Sequence, residues 1–426
     1  MSVKTDANLP APGSVAVVVQ RWHPGVAGGS EHLAYQFASL IAERYPVELL
    51  TTTAMDAGTW ANELEPGASP LEGFILRRFR VARTRDPYWH KLHDLLVRYH
   101  HAVQSEPRSD EPELYFGGGV PSVRHPWNTA LQEEWLRRQG PHSPELIRWL
   151  SEQGGRYRAV FFVTYLYSPA YYGSLAVGSE RSLLVSTLHD EPPAYLPIFA
   201  RMASRVRGLI WLTEAERDLT RKLWGERPGA IIPAFIDFEA GNPRSEKVES
   251  ENAAGRPFLL YSGRIDPGKG LPVLIDFFTR YRKETGRELD LVLTGTLAMK
   301  LSRRSDVRYA GFVTTEEKAR LLRSAAVFMM PSPMESLSIV TLEAMAAGTP
   351  VLVNGDNPVL REHVRKGEGR LYFDYSSFAA ELTALLDDRD LRARIIPRAK
   401  SYVREQYARE RVRRDLLARI EEIPAR

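Results

Sequence analysis

Residues 258–270 read FLLYSGRIDPGKG: an apolar run from Phe258 to Tyr261, then Ser262 to Asp266, then a turn with Pro267, Gly268, Lys269 and Gly270. A short apolar run closed by Gly and Pro predicts a buried strand ending in a turn. The stretch near Leu271 to Lys283 is amphipathic and predicts a helix. Strand, turn and helix in that order form the unit of a parallel sheet covered by helices. The pattern continues downstream with strands at Leu289–Leu293, Val327–Met330 and Val351–Val353, a helix near Ser338–Ala347, and mostly helical chain from Ser376. Upstream, Val15–Val19 predicts a strand, Gly25–Gly29 a turn, and Glu31–Glu43 a helix with Leu33, Phe37, Leu40 and Ile41 on one face. Further strands are expected at Val47–Leu50, Val160–Val163, Leu183–Ser186, Leu209–Leu212 and Ala230–Ile232. The fold class is therefore α/β, in two successive series, with no fixed-period repeat.

A chain of 426 residues is too long for one ordinary core; at about 150 residues per domain it makes two or three. The polar stretch from Glu239 to Arg256, with Gly241, Asn242, Pro243 and Gly255, reads as the linker between the two series. The expected division is 1–238, a linker at 239–256, a second domain at 257–405, and a C-terminal helix within 406–426. Residues 86–144 interrupt the alternation with Tyr88, Trp89, Tyr99, Phe116, Trp127, Trp135 and the break Gly117–Gly119. They read as an inserted group of helices and loops, either covering an acceptor site or purely structural.

Composition removes several chemistries. There is no Cys, so disulfides, a thiolate nucleophile and Cys-ligated zinc are excluded. Met1 to Pro12 lack the basic start and apolar core of a signal peptide, and no apolar run reaches the roughly 18 residues of a membrane span. A cytoplasmic location is expected. The net charge of +4 is mild, but Arg77, Arg78, Arg80, Arg83 and Arg85 cluster. They read either as a contact for anionic lipid or a phosphorylated acceptor, at the inner face of a membrane, or as Arg guarding an exposed strand edge. His90, His93, His100 and His101 lack the acid of an H-E-x-x-H motif, so no metal site is expected. Nucleic-acid binding has no support beyond the Arg cluster.

Four constellations carry chemistry. Gly28, Gly29 and Ser30 precede a helix, where bare backbone and unpaired N–H groups suit a diphosphate; a tight turn is the alternative. Arg264 and Lys269 lie five residues apart across a turn at the carboxyl end of a strand, so both can swing toward one pyrophosphate. Glu335 and Glu343 lie eight residues apart, one in the loop after a strand and one on the following helix. Carboxylates accept well from vicinal hydroxyls, and an acid among Leu342, Ala344, Met345 and Ala347 calls for a partner. Lastly, His189 in Thr187–Glu191 follows a strand, either facing a sugar or serving as a hydrogen-bonded structural His.

These pieces recur in order from Ser262 to Gly355 and resemble the donor domain of family four glycosyltransferases, the glycosyl transferases group one. They are Ser262-Gly263-Arg264 with Lys269, Gly295, Ala310–Val313, Pro331-Ser332, and Glu335 through Glu343 to Val351. In the first series the match is sparser: Gly28–Glu31, His189-Asp190, and the stretch Thr213–Asp218; residues 86–144 are unmatched. The resemblance implies a GT-B fold, two Rossmann-like domains facing each other across a cleft, and a retaining hexosyltransferase. Its substrate would be a nucleoside-diphosphate sugar and its acceptor a saccharide or lipid-linked saccharide, in bacterial polysaccharide or glycoconjugate synthesis, with no metal or other cofactor.

The same resemblance implies residue roles. Arg264 and Lys269 would hold the diphosphate, Glu335 and His189 the transferred sugar, and Glu343 the ribose. Gly311, Phe312 and Val313 would lie beside the base, with the backbone N–H groups of Leu337 and Ser338 near the sugar and Gly28 and Gly29 at the phosphate. Glu410 to Ile420 would pack back on the first domain. Two departures stand out: Pro233-Ala234-Phe235-Ile236-Asp237 lacks a Gly common before the linker, and Ser338 stands where many members carry Gly. Rival readings on the same scaffold are an epimerase, a phosphorylase, or a silent nucleotide-sugar-binding subunit.

Overall fold

The computed structural model describes residues 9–26, 28–105, 125–237 and 256–424. The glycine break at 117–119 and the linker at 239–255 lie outside them. The chain divides into two compact units, 1–234 with 413–426, and 235–412.

Unit 1 runs β1 (Val15–Val18), α1 (Gly29–Ala42), β2 (Val47–Thr52), β3 (Gly67–Leu71), β4 (Phe74–Phe79), α2 (Trp89–Ser105), α3 (Thr129–Gln139), α4 (Pro144–Gln153), β5 (Ala159–Val163), α5 (Ser168–Val177), β6 (Ser182–Val185), α6 (Pro197–Ala203), β7 (Gly208–Trp211), α7 (Glu214–Trp224) and β8 (Gly229–Ile231). Its sheet has the order β3-β4-β2-β1-β5-β6-β7-β8, parallel except for the β3–β4 hairpin. The strands β1, β2, β5, β6 and β7 are buried throughout, because helices cover both faces of a parallel sheet. That is why they read as unbroken apolar runs. Trp127 and Trp135, within the unmatched stretch, join the same core.

The arginine cluster does not guard an edge. β4 lies between β3 and β2, and Arg77 is buried in a bidentate ion pair with Glu48, both bonds 3.1 Å, with its guanidinium 4.1 Å over the Trp149 ring. Tyr157 donates to the same carboxylate at 2.7 Å. A charged side chain tolerates burial once its fork is matched this way, and Arg77 is thereby removed from any surface contact.

Unit 2 runs β9 (Phe258–Ser262), α8 (Leu271–Thr285), β10 (Asp290–Thr294), β11 (Val307–Tyr309), α9 (Thr315–Ser324), β12 (Val327–Met330), α10 (Ile339–Ala347), β13 (Val351–Asn354), α11 (Pro358–Gly367), β14 (Arg370–Tyr372), α12 (Tyr375–Asp387) and α13 (Arg389–Gln406). All six strands are parallel, in the order β11-β10-β9-β12-β13-β14. The order reverses between β9 and β12, the place where open parallel sheets bind ligands beyond their carboxyl ends. The last helix, α14 (Arg409–Glu421), carries residues of both units. Within unit 1, Leu416 and Ile420 are fully buried, and Arg158 donates to the carbonyls of Ile420 and Ile423 at 3.2 and 3.1 Å.

Candidate active site

In unit 2 the loops after β9 and β12 flank the switch point, and glycines bring backbones together there. A Cβ on Gly295 would lie 2.0 Å from the Gly263 carbonyl oxygen, and one on Gly270 2.5 Å from that of Pro331. Side chains at these two positions would force the loops apart. Asp266 organises the β9 loop. One carboxylate oxygen accepts from the Lys269 backbone N–H at 3.1 Å, and the other accepts from Arg264 Nε. The Lys269 ammonium then reaches across to the β12 loop, 2.6 Å from Glu335 Oε1.

Lys269 and Glu335 are thus in contact. Arg264 is joined to Lys269 only through Asp266 and keeps an exposed side chain, 63% accessible. Both cations were expected to swing toward one point; here each has its own carboxylate partner. The reason is electrostatic: each cation takes the nearest acid.

Glu343, on α10, accepts from Lys318 Nζ of α9 at 2.7 Å through Oε1. Its Oε2 is buried with no hydrogen-bond partner among the described residues. A buried unpartnered carboxylate oxygen is costly, and a hydroxyl donor from a ligand would satisfy it. The loop entering α10 is held from behind. His363, fully buried, lies with Nε2 2.6 Å from the Leu337 carbonyl oxygen and Nδ1 3.0 Å from the Tyr402 hydroxyl. Burial holds its pKa below the ordinary value, so the ring is neutral, donating from Nε2 and accepting at Nδ1. Ser338, next in the loop, has φ 59° and bonds Thr341 Oγ1 at 2.8 Å. That left-handed conformation favours glycine, which accounts for the residue common at this place in the resembling family.

The stretch Gly311–Val313 is tied to the loop after β10. The Gly311 carbonyl accepts from Gly295 N at 2.9 Å and Thr294 Oγ1 at 3.0 Å, and Tyr309 donates to the Gly295 carbonyl at 2.9 Å. Phe312 projects into solvent, 71% exposed, while Val313 is half-buried.

In unit 1, Gly28 and Gly29 open α1, but the nearest anion is the protein's own. Glu31 folds back so that a Cβ on Gly28 would stand 2.0 Å from its Oε2. That buried carboxylate accepts from Arg21 Nε at 2.6 Å and Ser30 Oγ at 2.8 Å. His189 follows β6, about a third exposed, its Nδ1 3.7 Å from Glu191 Oε1. Burial pushes the Glu191 carboxyl up, but the His189 imidazole and a 2.8 Å bond from the Tyr165 hydroxyl outweigh it and hold the pKa below its ordinary value. Behind this loop Glu216 of α7 is buried, accepting from Ser186 Oγ at 2.6 Å and from the amides of Leu188 and Leu212 at 2.7 and 2.6 Å. It pins the chain on either side of Thr187, whose φ is 48°.

Asp266, Lys318, His363 and Glu216 were not singled out from the sequence. Asp266 was legible in principle, because Asp three residues before Lys269 is cap spacing. Lys318 was not: it stands 25 residues from Glu343, on another helix.

Comparison with known proteins bears on this site. Residues 243–402 match the family described as glycosyl transferases group 1. Among curated relatives, the D-inositol 3-phosphate glycosyltransferase of Nocardia farcinica is 29% identical over 221 residues, 48% of each chain. The phosphatidyl-myo-inositol mannosyltransferase of Mycobacterium tuberculosis is 27% identical over 335 residues, 70% of this chain and 82% of that one. The chain spans about half the length of the first of these. Among solved structures, sucrose-phosphate synthase from Thermosynechococcus elongatus superposes with a TM-score of 0.67 at 15% identity, covering 96% of this chain and 98% of that one. Anabaena HepE in complex with UDP and glucose gives 0.65 at 13% identity, covering 96% and 99%. The fold is that of GT-B glycosyltransferases, and the sequence matches support the group 1 glycosyltransferase superfamily.

Proposed function

We propose that this chain is a retaining glycosyltransferase that moves a sugar from a nucleoside-diphosphate sugar, held by unit 2, to an acceptor hydroxyl. The carrying observation is the group after β9 and β12: the Lys269–Glu335 pair, and on the following helix Glu343, whose buried Oε2 has no partner among the described residues. On this reading the pyrophosphate takes Lys269 and Arg264 away from their carboxylates. Glu335, released, accepts from hydroxyls of the transferred sugar, and Glu343 Oε2 accepts from the ribose.

The glycosyl–phosphate bond breaks with charge accumulating on the departing diphosphate, where the two cations and the N-terminus of α10 stabilise it. The acceptor oxygen bonds to the anomeric carbon from the same face, and its proton passes to the departing diphosphate oxygen. No side chain serves as a covalent nucleophile, and no metal is required. The reading assigns His189 to the transferred sugar, Gly28 and Gly29 to the phosphate, and Gly311, Phe312 and Val313 to the base. Leu337 and Ser338 offer backbone N–H groups to the sugar. The names of the relatives, and the UDP and glucose bound by HepE, support a uridine or similar diphosphate sugar as donor and a polyol or saccharide acceptor in glycoconjugate synthesis.

A thermal-shift screen of nucleoside diphosphates and their sugars tests it, because a ligand of the folded state raises the unfolding temperature by mass action. The expected result is a shift with one nucleotide family that disappears in Lys269→Ala. Absence of any shift would remove the reading.

A further inference from the structure

We propose that Arg85, Trp89 and His93 form an anion subsite in unit 1 that takes a phosphate group. Arg85 makes no side-chain hydrogen bond or ion pair among the described residues, and its Nε is buried without a partner. Its guanidinium carbon lies 4.6 Å from the Trp89 ring centre and 5.4 Å from that of Trp60. Stacking occupies the flat faces of a guanidinium and leaves its in-plane N–H groups to find acceptors elsewhere.

The neighbouring side chains share the deficit. Trp89 stacks on His93 at 4.7 Å, and His93 on Trp135 at 6.2 Å. Trp89 Nε1, His93 Nδ1 and Trp135 Nε1 are each buried with no hydrogen-bond partner among the described residues. Trp60, by contrast, donates to the Gln139 carbonyl at 2.7 Å. Unpartnered buried nitrogens on side chains that touch one another are uncommon in a folded protein, and those of Arg85 and Trp89 call for oxygens that are not the protein's own.

Charge points the same way. Two other cations nearby are matched: Arg21 by Glu31, and Arg138 by Asp86 and Glu134. Arg85 has only the more distant Asp56 and the Tyr167 phenol facing it. Burial lowers its pKa, as expected for a cation without a counter-ion. His93 is likewise lowered, chiefly by burial, with Asp94, Glu191 and Arg85 around it. A planar fork with unpaired N–H groups, stacked on an indole whose own N–H is unpartnered, matches a tetrahedral oxyanion. The group bound is therefore a phosphate monoester or diester, carried by a soluble sugar or polyol phosphate or by a lipid headgroup. Only its designation as the acceptor rests on the transferase reading above.

The test uses the full chain in a Lys269→Ala background, so that phosphate at the donor loop does not count. Tryptophan fluorescence is followed during titration with inorganic phosphate and with glucose 6-phosphate, and sedimentation is followed with phosphatidate vesicles. Saturable binding is expected to at least one of these probes, weakened at least tenfold by Arg85→Met, less by Arg85→Lys, and several-fold by Trp89→Phe, which keeps the ring and removes the donor. Nucleotide binding in the Lys269 wild-type background is expected to survive all three changes, which shows that the variants fold. Binding confined to the vesicles assigns the site to a headgroup; binding to the soluble probes assigns it to a free phosphate. The subsite is refuted if no probe binds, or if Arg85→Met binds as tightly as its parent. Loss of nucleotide binding in Lys269→Ala tests the donor reading separately.

Discussion

Lys269 and Glu335 stand 66 residues apart in the chain, on the loops after β9 and β12, and their side chains meet at 2.6 Å. Their contact spans the point where the strand order of unit 2 reverses. The pair is partly exposed, so it contributes little to stability and is readily broken by a stronger anion.

Replacing Glu335 with Gln should therefore separate function from folding. Sugar transfer is expected to fall by about 100-fold, the usual loss for one oriented polar group at a reacting centre. Unfolding free energy should move by less than about 1 kcal/mol. Lys269→Ala should cost a similar factor, and the double variant less than the product of the two, because the groups act on one ligand. Initial rates with denaturant melts of the same samples decide it; equal losses of rate and stability would make the pair structural.

Lys318 holds one oxygen of Glu343 and leaves the other unpartnered. Lys318→Met removes the neutralising charge and frees the carboxylate to turn. Nucleotide dissociation constants are expected to rise about tenfold, which is about 1.4 kcal/mol, and the preference for a ribose over a 2′-deoxyribose should narrow. Calorimetric titration with both sugars measures the two effects together. An unchanged preference would dissociate Glu343 from the ribose.

His363 shows what lies behind the site. Its removal in His363→Ala takes the partner from the Leu337 carbonyl and one partner from the Tyr402 hydroxyl, and opens a cavity in a fully buried place. A loss of about 3 kcal/mol is expected from unit 2, together with reduced turnover, because the loop entering α10 loosens. Urea unfolding and steady-state rates test the two parts.

Glu216 gives unit 1 a pH dependence. Burial pushes its carboxyl up to about 7, against three hydrogen bonds that favour the ionised form. The group keeps its proton in the folded state at pH values where the unfolded chain, near the ordinary 4.5, has released it. Its contribution is most favourable below pH 4.5 and falls as pH rises to about 7, by about 3 kcal/mol at about 1.4 kcal/mol per unit. Melting temperature against pH should carry this slope in the wild type and lack it in Glu216→Gln. The variant also sets an amide N–H₂ against one of the donors at Ser186, Leu188 or Leu212, so it should be less stable at pH 5.

Two kinds of information were divided between sequence and structure. The strands were legible because parallel strands covered on both faces must be mostly apolar, as Val15–Val18, Phe258–Tyr261 and Val327–Met330 are. The loop residues Arg264, Lys269 and Glu335 were legible because each lies a few residues beyond such a strand, and Glu343 because it is an acid among apolar neighbours on the helix that follows. The β3–β4 hairpin and the short strands β11 and β14 were missed, since three to six residues with exposed or mixed faces carry no clear period.

By itself, then, the sequence determined the alternation of strands and helices and the chemical types available at their ends, because both depend on neighbours along the chain. Tertiary structure alone decided which charge meets which. Arg77 left the surface for Glu48, Lys318 came to Glu343 from another helix, Arg264 turned to Asp266, and Arg85 was left against two indole rings with no ion-pair partner among the described residues. Those pairings depend on the sheet order and on distances through space, and no local pattern encodes either.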